Sequence, residues 1–183
     1  MSKSKGQLKM HTNATTDLLF VTINSTMANI TKTKKAEAKK ISEVHRGCVL
    51  VTNAKFYSPE VIRAWVKEIN EENVLEQLEN SEWYSIREDN KIVGFTQFDL
   101  ETGVIYQMNI LPEYQNKGYG KKLYQHIENI LKKEGFKKIE LNSSLNAINF
   151  YKKMGFKEIE NIEYPSGVNE INIPEVKMEK ILS

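Results

Sequence analysis

Hydrophobic residues at helical spacing predict two helices in the first half of the chain. Apolar side chains recur every three to five positions through 36–48, which predicts a first helix over 34–47 that Gly47 ends. A second helix begins at Ser58, because a serine N-cap is followed by proline at the first helical position, and its apolar face extends over 58–70.

The period of the apolar positions changes to two in the middle of the chain, which is typical of strands. Residues 83–87 and 92–98, joined by the polar turn 88–91, predict a β-hairpin. The run 104–111 is almost continuously apolar, so we expect a strand that is buried on both faces and that Pro112 stops.

Helices and strands continue to alternate toward the end of the chain. In order, the pattern predicts a helix with an apolar stripe at 123–131 that Gly135 closes, a strand at 138–142, a short helix that Asn146 caps and Gly155 ends, and extended segments at 156–163 and 174–182. Strands joined by helices indicate an α/β sandwich.

The composition is that of one globular domain. The 183 residues are 40% hydrophobic and 27% charged, and 26 basic against 24 acidic residues give a formal net charge of +2. We predict that the polar stretch 1–16 is disordered and that 17–183 form a single domain. Because charges of both signs are interspersed, the chain lacks the concentrated basic stripe of a nucleic-acid binder, and we expect no nucleic-acid partner.

The sequence also predicts the compartment and argues against a metal. The apolar run 18–23 is too short to span a membrane, so we expect neither a membrane partner nor a signal peptide. The single cysteine, Cys48, fits a reducing cytoplasm. His11, His45 and His126 have no second ligand at metal-binding spacing, so no metal is predicted.

Candidate chemistry lies in 115–120, Gln-Asn-Lys-Gly-Tyr-Gly, between the apolar strand and the following helix. Glycines here allow main-chain N–H groups to turn inward, and the positive end of the helix dipole favours a phosphate. A simple tight turn between the strand and the helix explains this sequence equally well. A nucleotide P-loop is excluded because no Ser or Thr follows the lysine after Gly120, and a dinucleotide motif is excluded because Leu123 occupies the third glycine position.

Two segments resemble motifs of the GCN5-related N-acetyltransferases (GNAT). Residues 109–120, followed by Leu123, are similar to motif A of that family, and 146–156 are similar to its downstream Asn…Tyr…Gly-Phe segment. The resemblance covers about residue 30 to the end. It implies a mixed, mostly antiparallel central sheet with splayed middle strands and about four flanking helices, the acyl-CoA N-acyltransferase fold, and acetyl-CoA as cosubstrate.

The resemblance also implies which residues bind the cofactor. Backbone groups around Asn109, namely those of Met108 and Ile110, are expected to bind the pantetheine arm, and Asn146 and Tyr151 are expected to lie near the cofactor, Tyr151 near its sulfur. The pyrophosphate is assigned to the loop and the first turn of the helix: Gln115, Asn116, Lys117, Gly118, Tyr119, Gly120 and Lys121.

The expected reaction needs three groups. An amine must lose a proton, the tetrahedral oxyanion needs an N–H donor, and the leaving thiolate needs a proton. Tyr151 is the candidate proton donor, and a main-chain N–H in 108–110 is the candidate oxyanion donor. Histone-acetylating relatives have a glutamate where this chain has Val104, so the base stays open among Tyr106, Asn109 and Glu101 acting through water. For Tyr106 the plainer interpretation is a buried strand aromatic.

The sequence therefore predicts an acetyl-CoA-dependent N-acetyltransferase that acts on a primary amine of a small molecule by direct attack in a ternary complex. Alternatives are a non-catalytic acyl-CoA-binding module and a protein or peptide N-acetyltransferase. Segments 53–57 and 164–167 are expected to set acceptor specificity, whereas Trp65 and Trp83 are expected to be core residues. A homodimer, with 18–23 as a contact or as an added edge strand, stays open.

Overall fold

A computed structural model describes residues 28–168 and 170–182. The predictions for 1–16 and 18–23 lie outside the described residues. The strands are β1 (Asn29–Lys32), β2 (Glu82–Glu88), β3 (Lys91–Phe98), β4 (Val104–Ile110), β5 (Lys138–Ser144), β6 (Lys157–Pro165) and β7 (Asn172–Ile181). The helices are α1 (Ala38–Val51), α2 (Pro59–Lys67), α3 (Glu71–Asn80), α4 (Tyr119–Lys133) and α5 (Ile148–Lys153).

The strands form one sheet in the order β1-β2-β3-β4-β5-β7-β6. Every neighbouring pair is antiparallel except β4 and β5, which are parallel. This pair is in register at only two positions, Val104 with Glu140 and Ile105 with Leu141. Beyond these positions β4 stays with β3 and β5 stays with β7, so the middle strands diverge. The predicted mixed, mostly antiparallel sheet with splayed middle strands is confirmed.

Helices cover both faces of the sheet. On one face α4 packs on β4, β5 and β7 through a core that includes Leu131, Ile139 and Met178. On the other face α1 and α3 pack against Trp83 and Phe95, while α2 packs near Ile173 at the start of β7. The two faces of the gap between β4 and β5 therefore open toward different helices.

Several predicted elements are confirmed. The Ser58 side chain caps α2 by accepting a hydrogen bond from the Val61 N–H at 3.3 Å. The hairpin forms as β2 and β3. Gly135 follows α4 with φ of +88°, a left-handed conformation that suits glycine after a helix.

Two helix ends differ from the prediction. The first helix does not end at Gly47 but continues to Val51, and a Cβ on Gly47 would lie 3.5 Å from the Leu111 side chain. Weak helix propensity makes glycine a candidate helix end, but Val44 and Cys48 on either side of Gly47 are packed in the core and continue the helix through it. Asn146 is not an N-cap, because that position belongs to Ala147.

The prediction also missed α3 and misjudged β4. Helix α3 is capped by the Asn70 side chain, which accepts from the Asn73 N–H at 2.8 Å, but it buries only Val74 fully. The expectation that β4 is buried on both faces is wrong. Ile105 is buried and Tyr106 is exposed, because the strand loses its neighbour β5 after two positions and borders a cavity instead.

Candidate active site

The loop between β4 and α4 has the backbone geometry of an anion cradle. Asn116 and Gly118 have φ of 61° and 84°, and Gly118 is the N-cap of α4. Left-handed residues among right-handed ones turn successive N–H groups toward one point, and the helix N-terminus adds positive potential there. No atom lies within 4 Å of where a Gly118 Cβ would be, so the space in front of the loop is open.

The loop is fixed to the rest of the molecule through Gln115. Its side-chain amide donates to the Ile110 carbonyl at 2.9 Å and to Thr52 Oγ1 at 3.0 Å. The Cys48 thiol donates to the same carbonyl at 3.3 Å. Burial raises the pKa of Cys48 to about 12, so it is a neutral hydrogen-bond donor.

Lysines and tyrosines surround the loop. Lys117 and Lys91 lie over the ring of Tyr114, with Nζ 4.8 Å and 5.0 Å from its centroid. The hydroxyl of Tyr119 is hydrogen-bonded to Glu88, which points this side chain away from the cradle and leaves its backbone N–H as the group available there.

Backbone groups of β4 face the gap between the middle strands. The Leu111 N–H donates to the Val93 carbonyl of β3 at 2.9 Å. Because direction alternates along a strand, Asn109 faces β3 through its backbone, whereas Met108 and Ile110 face away from β3. The Ile110 carbonyl already accepts a hydrogen bond from the Gln115 side chain. The groups left to point into the gap are therefore the Met108 backbone and the Ile110 N–H.

A cavity of about 680 Å³ adjoins this gap on the side of α1, α2 and α3. We call it the acceptor chamber. Its polar and aromatic lining comes from all of these helices and from β4, β7 and the β6–β7 connection. It includes His45, Asn53, Trp65, Glu68, Asn73, Gln77, Tyr106, Gln107, Asn109, Tyr151, Tyr164, Ser166 and Glu175.

Tyr151 lines the chamber from α5, the short helix that follows β5. Its ring packs edge-on against Phe150 and Phe156, with centroids 5.2 Å and 5.5 Å away. Burial, with a smaller contribution from the negative charge of Glu175, raises the pKa of Tyr151. The phenol therefore keeps its proton at neutral pH, which is the protonation state that a proton donor needs.

Asn146 has a buried acceptor atom. Its Oδ1 has no hydrogen-bond partner among the described residues. An unpaired buried carbonyl is costly unless a ligand satisfies it. The side chain is therefore suited to accept a hydrogen bond from an amide N–H of a bound molecule.

A chain of hydrogen bonds orients Gln107 in the chamber wall. Ser81 Oγ donates to the Gln77 carbonyl at 2.7 Å and accepts from Trp83 Nε1 at 3.0 Å, so it can only accept from Gln97 Nε2 at 2.9 Å. Gln97 Oε1 then accepts from Gln107 Nε2 at 2.6 Å. Gln107 Oε1 is left buried and without a partner among the described residues, as a fixed acceptor.

Tyr106 differs from its expected setting. It is 51% exposed rather than buried, and it lies at a register shift where it has no partner residue on β3. Its hydroxyl donates to Asp99 Oδ2 at 3.2 Å, and burial and the Asp99 charge raise its pKa. Glu101 lies exposed in the preceding turn and does not line the acceptor chamber.

The two tryptophans have different roles. Trp83 is a core residue, as expected, and stacks on Phe95 with centroids 5.5 Å apart. Trp65 instead lines the chamber, edge-on to Tyr57 at 5.4 Å. Residues of 53–57 and 164–167 reach the chamber at Asn53 and at Tyr164 to Gly167. Sequence reasoning missed Glu175, which carries no recognisable motif.

A family model described as an acetyltransferase (GNAT) domain matches residues 53–182. The chain belongs to this family. It is an acetyl-CoA-dependent N-acetyltransferase, and the match includes β4, the cradle loop and α4 as well as the chamber strands.

Relatives of this GNAT chain are known by sequence and by structure. Spermidine N(1)-acetyltransferase of Thermoplasma acidophilum is 27% identical over 140 residues, 70% of this chain and 87% of the relative. [Ribosomal protein bS18]-alanine N-acetyltransferase of Haemophilus influenzae is 35% identical over 77 residues, 40% of this chain and about half (53%) of the relative. The structure of PaiA N-acetyltransferase from T. acidophilum, solved with coenzyme A, has a TM-score of 0.71 and 24% identity over 85% of this chain and 99% of that one, which shows the shared GNAT fold.

No helix within 28–168 and 170–182 is long and apolar enough to cross a membrane. Over the same ranges, no group of three or more His, Cys, Asp or Glu side chains is arranged to hold a metal ion.

Proposed function

We propose that this protein transfers the acetyl group of acetyl-CoA to a primary amine of a small molecule, by direct attack in a ternary complex. The observation that carries the proposal is the continuity of three features. The anion cradle at 115–118, the gap between β4 and β5, and the acceptor chamber follow one another, so a cofactor and an acceptor can meet from opposite faces of the sheet.

The residues present fit acetyl-CoA. The open space in front of Gly118 suits a pyrophosphate on the amides of 115–120, with positive charge from Lys117 and Lys121. Met108 and Ile110 offer backbone groups to the pantetheine arm in the gap, and Asn109 stands beside them. Asn146 Oδ1, buried and unpartnered among the described residues, suits one of the pantetheine amides.

Two of the three catalytic needs, the proton donor and the oxyanion donor, have a candidate in this chain. Acetyl-CoA supplies the activated acetyl group as a thioester. Tyr151 donates a proton to the departing sulfur, and a main-chain N–H of 108–110 stabilises the oxyanion. No enzyme nucleophile is required, and the neutral, hydrogen-bonded Cys48 is unsuited to be one.

The dimensions of the chamber favour a small acceptor. A volume of about 680 Å³ is within the range of small-molecule sites, and polar groups converge on it from several elements. The spermidine-acetylating relative supports a small amine. A second candidate acceptor is a peptide N-terminus, which the relative named for the alanine of ribosomal protein bS18 supports.

The test is calorimetric titration with acetyl-CoA, followed by thiol release against an amine panel in the same preparation. The panel contains spermidine, simple alkylamines and a peptide that begins with alanine, with product masses recorded. We expect acetyl-CoA binding and release that depends on a small amine. Release with the peptide alone would contradict the small-molecule acceptor, and binding without release on any amine would contradict the transferase.

A further inference from the structure

Glu175 is a carboxylate on the acceptor side of the gap. It lies on β7, in register with Ser144 of β5 and Ile162 of β6. Its neighbour Val176 packs in the α4 core, whereas Ile173, two positions before it, packs with α2. Because side chains alternate along a strand, Glu175 faces the side of α2, and it lines the acceptor chamber.

Nothing in the described part of the chain neutralises this carboxylate. Glu179, further along the same strand, is paired with Lys138 at 3.6 Å, but Glu175 has no ion pair or hydrogen bond with a described side chain. Burying a carboxylate without a partner costs stability. Burial alone raises its pKa to about 7, near the value that suits proton transfer at neutral pH.

Glu175 lines the same cavity as Tyr151, the proposed proton donor for the departing sulfur. The negative charge of Glu175 contributes to the raised pKa of Tyr151 and to that of Tyr57. Tyr57 is held by hydrogen bonds to the Pro174 carbonyl and the Leu145 N–H, at 2.9 Å and 2.8 Å. Tyr151 lines the chamber together with Glu175.

We propose that Glu175 is the general base of this enzyme, accepting a proton from the acceptor ammonium directly or through one water. The inference rests on the proposed function and identifies a group that it leaves unassigned. The acceptor ammonium gives one proton to Glu175 and becomes a free amine. Its nitrogen then forms the N–C bond to the acetyl carbonyl as the C–S bond breaks.

The protons balance in this sequence. The amine nitrogen loses a second proton as the amide forms, and the sulfur gains one from Tyr151. The second proton lost by the nitrogen returns to the Tyr151 phenolate, and Glu175 releases its own proton to solvent. The net result is an amide, a thiol and one proton in solution.

The other titratable groups facing the chamber are less suited to this task. Burial lowers the pKa of His45 to about 4, so its neutral imidazole is a weak base. Burial and the charge of Asp99 raise the pKa of Tyr106, and its hydroxyl already donates a hydrogen bond to Asp99. The remaining titratable groups on the lining are Glu68 of the α2–α3 connection, which is exposed, and the phenols Tyr151 and Tyr164.

The test compares two acceptors in Glu175→Gln. An alkylamine is an ammonium at pH 7 and needs a base, whereas 2,2,2-trifluoroethylamine is already neutral. We expect kcat/KM to fall about 100-fold with the alkylamine and no more than about threefold with the weakly basic amine. Calorimetry should show unchanged acetyl-CoA affinity. With the alkylamine, the acidic limb of the wild-type pH profile, centred near pH 7, should move to higher pH, where the free amine itself loses its proton.

Glu163→Gln is the matched control, because Glu163 is an exposed acid on the neighbouring strand β6. It should match the wild type with both acceptors. Equal losses for both acceptors in Glu175→Gln, or an unchanged acidic limb, would overturn the role of Glu175 while leaving the transferase standing. Absence of amine-dependent thiol release in the wild type would overturn the proposed function and this inference with it.

Discussion

Tyr151 and Gln107 present opposite hydrogen-bonding groups to the acceptor chamber. Burial keeps Tyr151 protonated, so it offers a donor, whereas the relay through Gln97 and Ser81 fixes Gln107 Oε1 as an acceptor. A donor suits a leaving thiolate, and an acceptor suits an N–H of the incoming amine. The two residues should therefore affect different kinetic constants.

Removing the Tyr151 hydroxyl tests the proton donor. In Tyr151→Phe we expect kcat to fall about 100-fold with less than about a twofold change in acetyl-CoA affinity, because the hydroxyl acts in the transition state. Steady-state rates and calorimetry measure both quantities. Unchanged turnover would remove Tyr151 from the mechanism.

Gln107→Leu tests the fixed acceptor. We expect KM for the amine to rise about fivefold to tenfold, the loss of roughly one hydrogen bond, with acetyl-CoA affinity unchanged. Gln125→Leu, an exposed position on α4, serves as the control. An unchanged KM would show that the amine does not meet Gln107.

The residues proposed to hold acetyl-CoA were more accessible to sequence reasoning than those of the acceptor side. Asn146, Tyr151 and the 115–120 loop belong to contiguous motifs, whereas Glu175 reaches the chamber only through the pairing of β7 with β5. Its strand position carries no local signal. The hydrogen-bond chain that orients Gln107 likewise joins α3, β2 and β3, which are separate in sequence.

At the scale of elements, the start of α4 and its end provide a matched pair of glycines. Gly118 and Gly135 both have positive φ, 84° and 88°, and at neither glycine does any atom lie within 4 Å of where a Cβ would be. An aspartate therefore introduces similar backbone strain at either position, of about 1 kcal/mol. Only at Gly118 does the new carboxylate enter the proposed anion cradle.

We accordingly expect Gly118→Asp to abolish acetyl-CoA binding and Gly135→Asp to retain it. Calorimetric titration of both variants, after thermal unfolding has shown that each is folded, provides the comparison. Normal affinity in a folded Gly118→Asp would contradict the cradle, and equal loss in both variants would attribute the effect to strain.

The helices and strands that the sequence predicts correctly are those whose local signals agree with their tertiary packing. The Ser58 cap, the hairpin turn and the α4 stripe are local, and all appear in the structure. Gly47 does not end α1, because Val44 and Cys48 on either side of it are packed in the core, and α3 is not predicted because its apolar face is narrow. The burial of β4 depends on where β5 diverges from it, which sequence periodicity does not report.

At the scale of the whole molecule, Glu175 should couple stability to pH. Its pKa is raised from an ordinary 4.5 to about 7, so folding favours the protonated form. The contribution of Glu175 to the free energy of unfolding should thus fall as the pH rises from about 4.5 through 7, and Glu175→Gln should lack this loss. We expect the variant to equal the wild type near pH 4.5 and to exceed it by about 1–3 kcal/mol at pH 8.

Denaturant unfolding of both proteins at several pH values measures this difference. The free energy of unfolding of Glu163→Gln should follow that of the wild type at every pH, because the exposed Glu163 side chain keeps its contact with water in the folded protein. A difference that does not change with pH would mean that the Glu175 carboxylate is solvated in the folded protein.

Direct transfer requires that the two substrates be held together across the splayed sheet. Initial rates measured while acetyl-CoA and a productive amine are varied independently test this requirement. We predict double-reciprocal lines that intersect, with no acetylated protein detectable by mass when acetyl-CoA is added alone. Parallel lines together with an acetylated protein would contradict direct transfer.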